Sequence, residues 1–294
     1  MTDRRATIIY NPMSGRPGSR ADDARRMIQL LGQHRIAADA CATTGPDDAT
    51  QLAREAVEAG ADIVISYGGD GTLNEVIQGM AGSRASLAIW PGGTSNVVAR
   101  ELNIPFNIEQ LADFISQGKT KRMSLGIVRP LERYFFMMAG IGLDASIARG
   151  VNRKLKRRTG EFAYWVTGIK HLFTWQAEPF VIEVDGESYE SVFAIIGNGK
   201  GYGGGLCLTP HAKLDEPLFE VYILPRQANN FAYLRVLAAC MRGNPEQTDA
   251  ILVKGKHIKA NSTYEPWVEA DGELVGPLPM TFDIVPEALS VIVP

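Results

Sequence analysis

Short apolar runs alternate with amphipathic stretches from residue 7 to residue 118. In the amphipathic stretches apolar residues recur every three or four positions, which is typical of helices, whereas the short apolar runs are typical of buried strands. The pattern predicts strands over 7–10, 36–42, 63–65 and 86–90, and helices over 21–32, 47–59, 72–80, 97–102 and 108–117. Because strands that alternate with helices favour a parallel sheet, residues 1–120 are predicted to form one α/β domain.

The pattern changes from residue 121 onwards, where strand-like segments separated by turns predominate. These segments are 123–128, 134–139, 180–184, 191–196, 218–224, 251–260 and 280–285. Strands joined by turns are typical of antiparallel sheets, so residues 121–294 are predicted to form a mostly antiparallel β-sandwich domain with inserted helices.

Two strands of the first domain end in glycine turns that lead into helices. The turns are Gly-Gly-Asp-Gly-Thr at 68–72 and Pro-Gly-Gly-Thr-Ser-Asn at 91–96. Glycine lets the backbone approach an anion closely, and a helix N-terminus presents unpaired N–H groups to it. Since the carboxyl ends of parallel strands meet at one edge of a sheet, the two turns predict a phosphate-binding site. Asp70 would hold a cation or water molecules beside the phosphate.

The two turns, with Asn74-Glu75 after the first and Ala99-Arg100 after the second, resemble the diacylglycerol kinase catalytic-domain family. Relatives of that family include bacterial lipid kinases and the sphingosine and ceramide kinases. The resemblance implies an ATP- and Mg²⁺-dependent kinase that phosphorylates a hydroxyl of a diacylglycerol-like or sphingoid lipid. It also implies an N-terminal domain like that of NAD kinases and diacylglycerol kinases, and a β-sandwich domain that completes the active site and a lipid cleft. The positions expected to bind the nucleotide are Asn11, Ser14, Gly15, Thr43, Gly69, Asp70, Gly71, Thr72, Leu73, Asn74, Glu75, Thr94, Asn96 and Glu273.

The triplet Asp-Gly-Glu occurs at 185–187 and again at 271–273. The first copy lies between two predicted strands, where Asp-Gly is a common β-hairpin turn. The second copy lies late in the chain, as the corresponding triplet does in the family. The resemblance therefore implies that Asp271 is the general base that accepts the proton of the lipid hydroxyl, with Asp70 as the other catalytic carboxylate.

A turn at 213–218 resembles the family's metal-binding turn. On that pattern Glu216 supplies a carboxylate and Lys213 and Leu218 supply carbonyl oxygens, a ligand set that suits Mg²⁺. This chain departs from the family pattern at Glu216, where Asp is usual, and at Pro217, where Gly is usual. It departs again at Val97, where many bacterial relatives have Asp.

Two other functions stay open. An NAD kinase-like enzyme would share Gly-Gly-Asp-Gly and the two-domain plan, although the second domain lacks that family's Gly-Thr-Pro-Thr-Gly-Ser-Thr-Ala-Tyr-like stretch. A non-catalytic lipid- or nucleotide-binding protein would account for Val97 and Pro217. Retention of Asp70 and Asp271 favours an enzyme.

Composition limits the partners and the location. The formal net charge of −3 argues against a general nucleic-acid-binding protein, and we expect a cytoplasmic protein because the three cysteines are scattered and no secretory signal is evident. Basic residues at 149–158, followed by aromatic residues at 162–175, fit either an amphipathic helix packed on the second domain or a peripheral contact with the inner surface of a membrane. A homodimer is also compatible with the sequence.

Overall fold

The computed structural model describes residues 4–14, 19–129, 131–142, 178–202, 206–226 and 230–294. The chain divides into two compact units, the first formed by Met1–Ser124 with Pro286–Pro294 and the second by Leu125–Val285. This division differs from the sequence-based one at residue 120, because the last residues of the chain return to the first unit. There Ser290 and Val291 pair in parallel with Ser86 and Leu87.

The first unit consists of alternating strands and helices, as predicted. Its elements are β1 (Arg4–Tyr10), α1 (Arg20–Gln33), β2 (Ile36–Ala42), α2 (Asp48–Glu58), β3 (Ile63–Gly68), α3 (Asp70–Met80), β4 (Ser86–Pro91), α4 (Val97–Glu101), α5 (Ile108–Gln117) and the first half of β5 (Thr120–Arg129). The sheet order is β4-β3-β1-β2, with every pairing parallel, and the end of the last strand of the chain adds beside β4.

The burial of strands and the end signals of helices in the first unit explain why these elements can be predicted from the sequence. All six residues of β3 are buried, as expected for a parallel strand covered by helices on both faces. Helix α5 shows clear end signals: the side chain of Asn107 accepts hydrogen bonds from the backbone amides of Glu109 and Gln110, and Gly118 follows the helix with φ +63°.

The second unit consists mainly of strands. It contains β6 (Arg133–Phe135), β7 (Met138–Ile141), β8 (Phe180–Val184), β9 (Glu187–Gly197), β10 (Gly201–Tyr202), β11 (Leu206–Cys207), β12 (Phe219–Pro225), α6 (Asn230–Met241), a 3₁₀ turn (Pro245–Gln247), β13 (Ile251–Gly255), β14 (His257–Asn261), β15 (Trp267–Ala270), β16 (Glu273–Pro277) and the first half of β17 (Met280–Ile292). Neighbouring strands run β16-β15-β7-β9-β8-β14-β17, and β12 pairs with both β9 and β13. Among the described residues the strands of this unit pair antiparallel, and the predicted antiparallel sandwich is confirmed.

Two segments predicted as single strands are each broken in two. The segment 134–139 divides into β6 and β7, and the segment 251–260 divides into β13 and β14. At both breaks backbone amides donate hydrogen bonds to the side chain of an aspartate.

Candidate active site

The first glycine turn connects β3 to α3 in a tightly packed conformation. A Cβ atom on Gly68 would lie 2.6 Å from the side chain of Thr72, which is buried beneath the turn. Gly69 occupies the N-cap position of α3, and its carbonyl accepts the amide of Leu73 at 3.1 Å. Gly71 is exposed at the start of the helix. The turn therefore presents the N-terminus of an eleven-residue helix at the carboxyl edge of the sheet.

The second glycine turn lies against the first. A Cβ on Gly93 would lie 2.5 Å from the Cα of Gly69, so the two backbones touch at these glycines. Asn96, with φ +46°, closes the second turn: its side-chain oxygen accepts the amide of Gly93 at 2.8 Å, and its side-chain nitrogen donates to the Gly93 carbonyl at 2.9 Å. Thr94 lies exposed at the tip. Two anion-ready turns thus share one edge of the sheet.

Asp70 connects the two turns through a hydrogen bond. Its Oδ1 accepts the backbone amide of Val97 at 2.8 Å, at the start of α4. Burial raises the pKa of Asp70 above its usual value, and the backbone amides at 96–98 act in the opposite direction. The apolar side chain at Val97 therefore does not remove this residue from the site, because the contact uses its main chain.

The other residues predicted to bind the nucleotide hold local structure in the described chain. Asn11 Oδ1 accepts the amide of Met13 at 2.9 Å, and Ser14 Oγ donates to the Asn11 carbonyl at 2.9 Å, so both shape the loop after β1. Glu75 Oε2 accepts the amide of Ala49 at 3.2 Å and thereby fixes the start of α2. These bonds place the residues in turns and helix ends around the edge of the sheet, and their contact with nucleotide stays a prediction.

Three further predicted residues lie in the interior near the same edge. Thr43 is buried, and its amide donates to the Tyr10 carbonyl at the end of β2. Leu73 and Asn74 are buried on α3, and Asn74 Oδ1 accepts a hydrogen bond from Gln78 at 2.7 Å. The buried Asn74 Nδ2 has no partner among the described residues.

Arg20 was missed by the sequence analysis and lies among these loops. Its side chain is 7% exposed, its Nε donates to the Ser14 carbonyl at 2.8 Å, and its Nη2 donates to the Gly92 carbonyl. An arginine at the first position of a helix usually extends into solvent, so no local pattern marked it. Only the loop at Gly92, more than seventy residues later, shows what it contacts.

In the second unit the carboxylate of Asp271 accepts three backbone amides. Its Oδ2 accepts Phe136 at 2.6 Å, and its Oδ1 accepts Met137 at 2.9 Å and Met138 at 3.1 Å. Phe136 and Met137 lie between β6 and β7, and Met138 begins β7. The buried Glu269 fixes the turn from the other side, because its Oε2 accepts the Gly272 amide at 2.6 Å. The orientation of the Asp271 carboxylate is therefore set by the fold.

Asp185 has the same local conformation and a similar task. Both triplets form two-residue hairpin turns, with Asp at φ +48° and the following Gly at φ +97° or +82°. The Asp185 carboxylate accepts the amides of Lys256, which lies between β13 and β14, and of His257, which begins β14. Asp185 is thus more than a turn residue, and the backbone alone does not separate the predicted base from its counterpart.

Glu273 and the turn at 213–218 carry ion pairs. Glu273 pairs with Arg133. Glu216 accepts a hydrogen bond from the Lys213 ammonium at 2.5 Å, which lowers the pKa of Glu216, and Lys254 Nζ lies 4.0 Å from the same carboxylate. The Lys213 carbonyl accepts the amide of Glu216.

A metal ion in the 213–218 turn would have to displace the Lys213 ammonium from Glu216. Leu218 precedes β12 and is half-buried. Among the described residues, no three His, Cys, Asp or Glu side chains cluster to form a metal site. The metal site proposed for this turn therefore stays a prediction.

Two predicted features lie outside the described residues: Gly15, and the basic and aromatic segment at 149–175. Within the described ranges, no helix has the length and apolar character needed to span a bilayer.

Comparison with known proteins covers nearly the whole chain. Residues 5–128 match the family described as diacylglycerol kinase catalytic domain, and residues 138–293 match that described as YegS C-terminal NAD kinase beta sandwich-like domain. The chain is 33% identical to a diacylglycerol kinase of Bacillus subtilis, covering 99% of this chain and 97% of that protein.

Two further relatives agree with this match. A diacylglycerol kinase of Staphylococcus saprophyticus is 33% identical over 99% of this chain and 96% of its own length. The crystal structure of a diacylglycerol kinase from Bacillus anthracis superposes with a TM-score of 0.80 at 25% identity, covering 99% of this chain and 97% of that one.

Proposed function

Since the chain belongs to the diacylglycerol kinase family and is a lipid kinase, we propose that it transfers the γ-phosphoryl group of ATP to a hydroxyl of a diacylglycerol-like lipid. The family membership supports the reaction class, and the names of the relatives support the acceptor. The observation that carries the use of ATP is the contact between the two glycine turns at Gly69 and Gly93.

The glycine turns fit a nucleoside triphosphate for a steric reason. Side chains are excluded at Gly68 by Thr72 and at Gly93 by the Gly69 backbone, so only main-chain groups are present at these two positions. Backbone amides at the start of α3 are suited to phosphate oxygens. A phosphate chain bound there would run along the adjacent ends of β3 and β4, which pair in parallel as far as Gly68 and Pro91.

Mg²⁺ fits this site as a partner of the nucleotide. Enzymes that use Mg²⁺ with ATP commonly supply one or two carboxylates, and the phosphates and water supply the other ligands. Asp70 is the carboxylate at the glycine turns, and it would hold the ion or one of the ion's water molecules. When bound, Mg²⁺ neutralises charge on the phosphates.

Asp271 is proposed as the general base. Phosphoryl transfer through a loose transition state needs little activation of the nucleophile, so a carboxylate suffices to orient and deprotonate a hydroxyl. As the lipid oxygen bonds to the γ-phosphorus, the bond to the β–γ bridging oxygen breaks, ADP leaves, and the hydroxyl proton passes to Asp271. Three backbone amides hold the carboxylate in one orientation.

NAD is the second acceptor to consider, because the match to an NAD kinase-like sandwich covers residues 138–293. A label-transfer assay separates the two acceptors. Radiolabelled ATP and Mg²⁺ are incubated with separate detergent micelles of diacylglycerol, monoacylglycerol, sphingosine, ceramide or phosphatidylglycerol, and with NAD in a parallel tube. We expect label in diacylglycerol. Label in sphingosine or ceramide alone would change the acceptor class, and label in NAD alone would refute lipid phosphorylation.

A further inference from the structure

Arg20 is a buried cation bonded to main-chain carbonyls. The guanidinium donates to the carbonyls of Ser14 and Gly92, and it lies 4.2 Å from the centre of the Tyr67 ring. Among the described residues no carboxylate pairs with it directly. Because buried charges are normally paired, an unpaired guanidinium at 7% exposure requires an explanation.

The tyrosine whose ring Arg20 contacts is itself hydrogen-bonded to a carboxylate. Tyr67 donates its hydroxyl proton to Asp23 Oδ2 at 2.5 Å, and its ring stacks on Trp90 at 3.6 Å. Burial, and then the hydrogen bond to Asp23, raise the pKa of Tyr67 to about 12, so the phenol is neutral near pH 7. The positive charge of Arg20 is therefore not cancelled by its neighbour in the stack.

The glycine at position 92 is explained by the same contact. A Cβ there would lie 2.4 Å from Nη1 of Arg20, so a side chain would push the guanidinium out. The two adjacent glycines have separate reasons: Gly92 makes room for Arg20, and Gly93 makes room for the backbone of Gly69. Arg20 thus joins the loop after β1 to the second glycine turn and lies beside the proposed phosphate site.

We propose that Arg20 is a positioning residue for the nucleotide phosphates, which holds the loops at Ser14 and Gly92 together and supplies their edge of the sheet with a fixed positive charge. Among the described residues, Arg20 donates its Nε–H to the Ser14 carbonyl and an Nη2–H to the Gly92 carbonyl, and its guanidinium lies over the Tyr67 ring. Arginine has five N–H groups, and the three that do not bond to these carbonyls are suited to phosphate oxygens or water. This inference rests on the proposed use of ATP.

The test separates a charge effect from a purely structural one. Calorimetric titrations of ATP and of adenosine are compared for the wild type, R20K and R20M. The matched control is R25M, since Arg25 lies on the exposed face of the same helix and pairs with Asp22. We expect R20M to bind ATP about 10- to 100-fold more weakly, as for loss of a hydrogen bond to a charged group, with adenosine affinity nearly unchanged. R20K should recover most of the ATP affinity.

Equal losses for ATP and adenosine in R20M would refute the proposed phosphate role and leave Arg20 as a structural contact. Unchanged ATP affinity would refute it as well. If R20M does not fold, R20Q, which keeps a donor for the carbonyls, is judged by the same criterion. The titrations contain no lipid, so they test ATP binding independently of the acceptor. A wild type that binds ATP in the titration but labels no acceptor in the label-transfer assay would refute the lipid-kinase proposal alone. A wild type that binds no ATP would refute both.

Discussion

Replacing Gly93 by alanine should disrupt the contact between the two glycine turns. The added Cβ would lie 2.5 Å from the Gly69 Cα, about 0.9 Å short of the 3.4 Å at which ordinary contact begins. The obstructing Gly69 Cα belongs to the main chain, so no flexible side chain can give way and the loops must separate by nearly 1 Å. Overpacking of this kind costs about 1–3 kcal/mol of unfolding free energy. A misplacement of about 1 Å near reacting groups can also lower the rate about 100-fold.

The assay for Gly93→Ala combines thermal unfolding with kcat/KM for ATP. Each kcal/mol lost should lower Tm by about 2–4 °C in a protein of this size. Gly45→Ala is the matched control, because nothing lies within 4 Å of a Cβ there. Gly69→Ala should have a stability between those of the other two variants, because its Cβ would lie 3.3 Å from the Gly93 Cα. We therefore predict the largest loss of Tm for Gly93→Ala, a smaller loss for Gly69→Ala and the smallest for Gly45→Ala. A Gly93→Ala protein with the Tm and kcat/KM of the Gly45→Ala protein would refute the proposed contact.

Three other substitutions test individual parts of the two units. Asp70→Asn should stabilise the protein at neutral pH, because it removes a buried ionised carboxylate whose folded-state pKa is raised. The gain should vanish as pH falls through that raised pKa towards the ordinary value of 3.8, because the wild-type carboxyl group then becomes neutral. A gain independent of pH would contradict this. Lys213→Met should free Glu216, so that millimolar Mg²⁺ raises the Tm of the variant but changes the Tm of the wild type little. Equal changes in Tm would show that the ion pair does not exclude the metal. Asp271→Asn should lower Tm more than Asp185→Asn, because its new NH₂ group must face a backbone N–H at a part-buried site, at a cost of about 1–3 kcal/mol; equal Tm losses would count against the orientation described.

The alternation of strands and helices in the first unit was predictable because each element there satisfies its own pattern. Strand β3 is apolar along its length, and α5 has a side-chain cap at its start and a glycine after its end. The glycine turns were predictable for the same reason, since their chemistry is local to each strand end. What the sequence could not show is that Gly69 and Gly93 touch, because that contact joins two turns more than twenty residues apart.

The failures in the second unit have a common physical cause. The strand breaks at Phe136 and at Lys256 are stabilised by carboxylates of Asp271 and Asp185, which are distant in sequence. Apolar periodicity continues through both breaks, so it predicts one strand where there are two. The return of the chain end to β4 is a long-range pairing of the same kind. Similarly, Arg20 is explained only by a carbonyl in a different loop.

The most direct test of the account is label transfer from ATP to diacylglycerol micelles by Asp271→Asn and Asp185→Asn measured side by side. The two aspartates share a turn conformation and both accept backbone amides, so each variant serves as the control for the other. If Asp271 is the general base, its variant should lose about 100- to 10,000-fold in rate while the Asp185 variant stays near the wild type. Equal rates in the two variants would show that Asp271, like Asp185, serves only to hold a break between strands, and would remove it from the catalytic site.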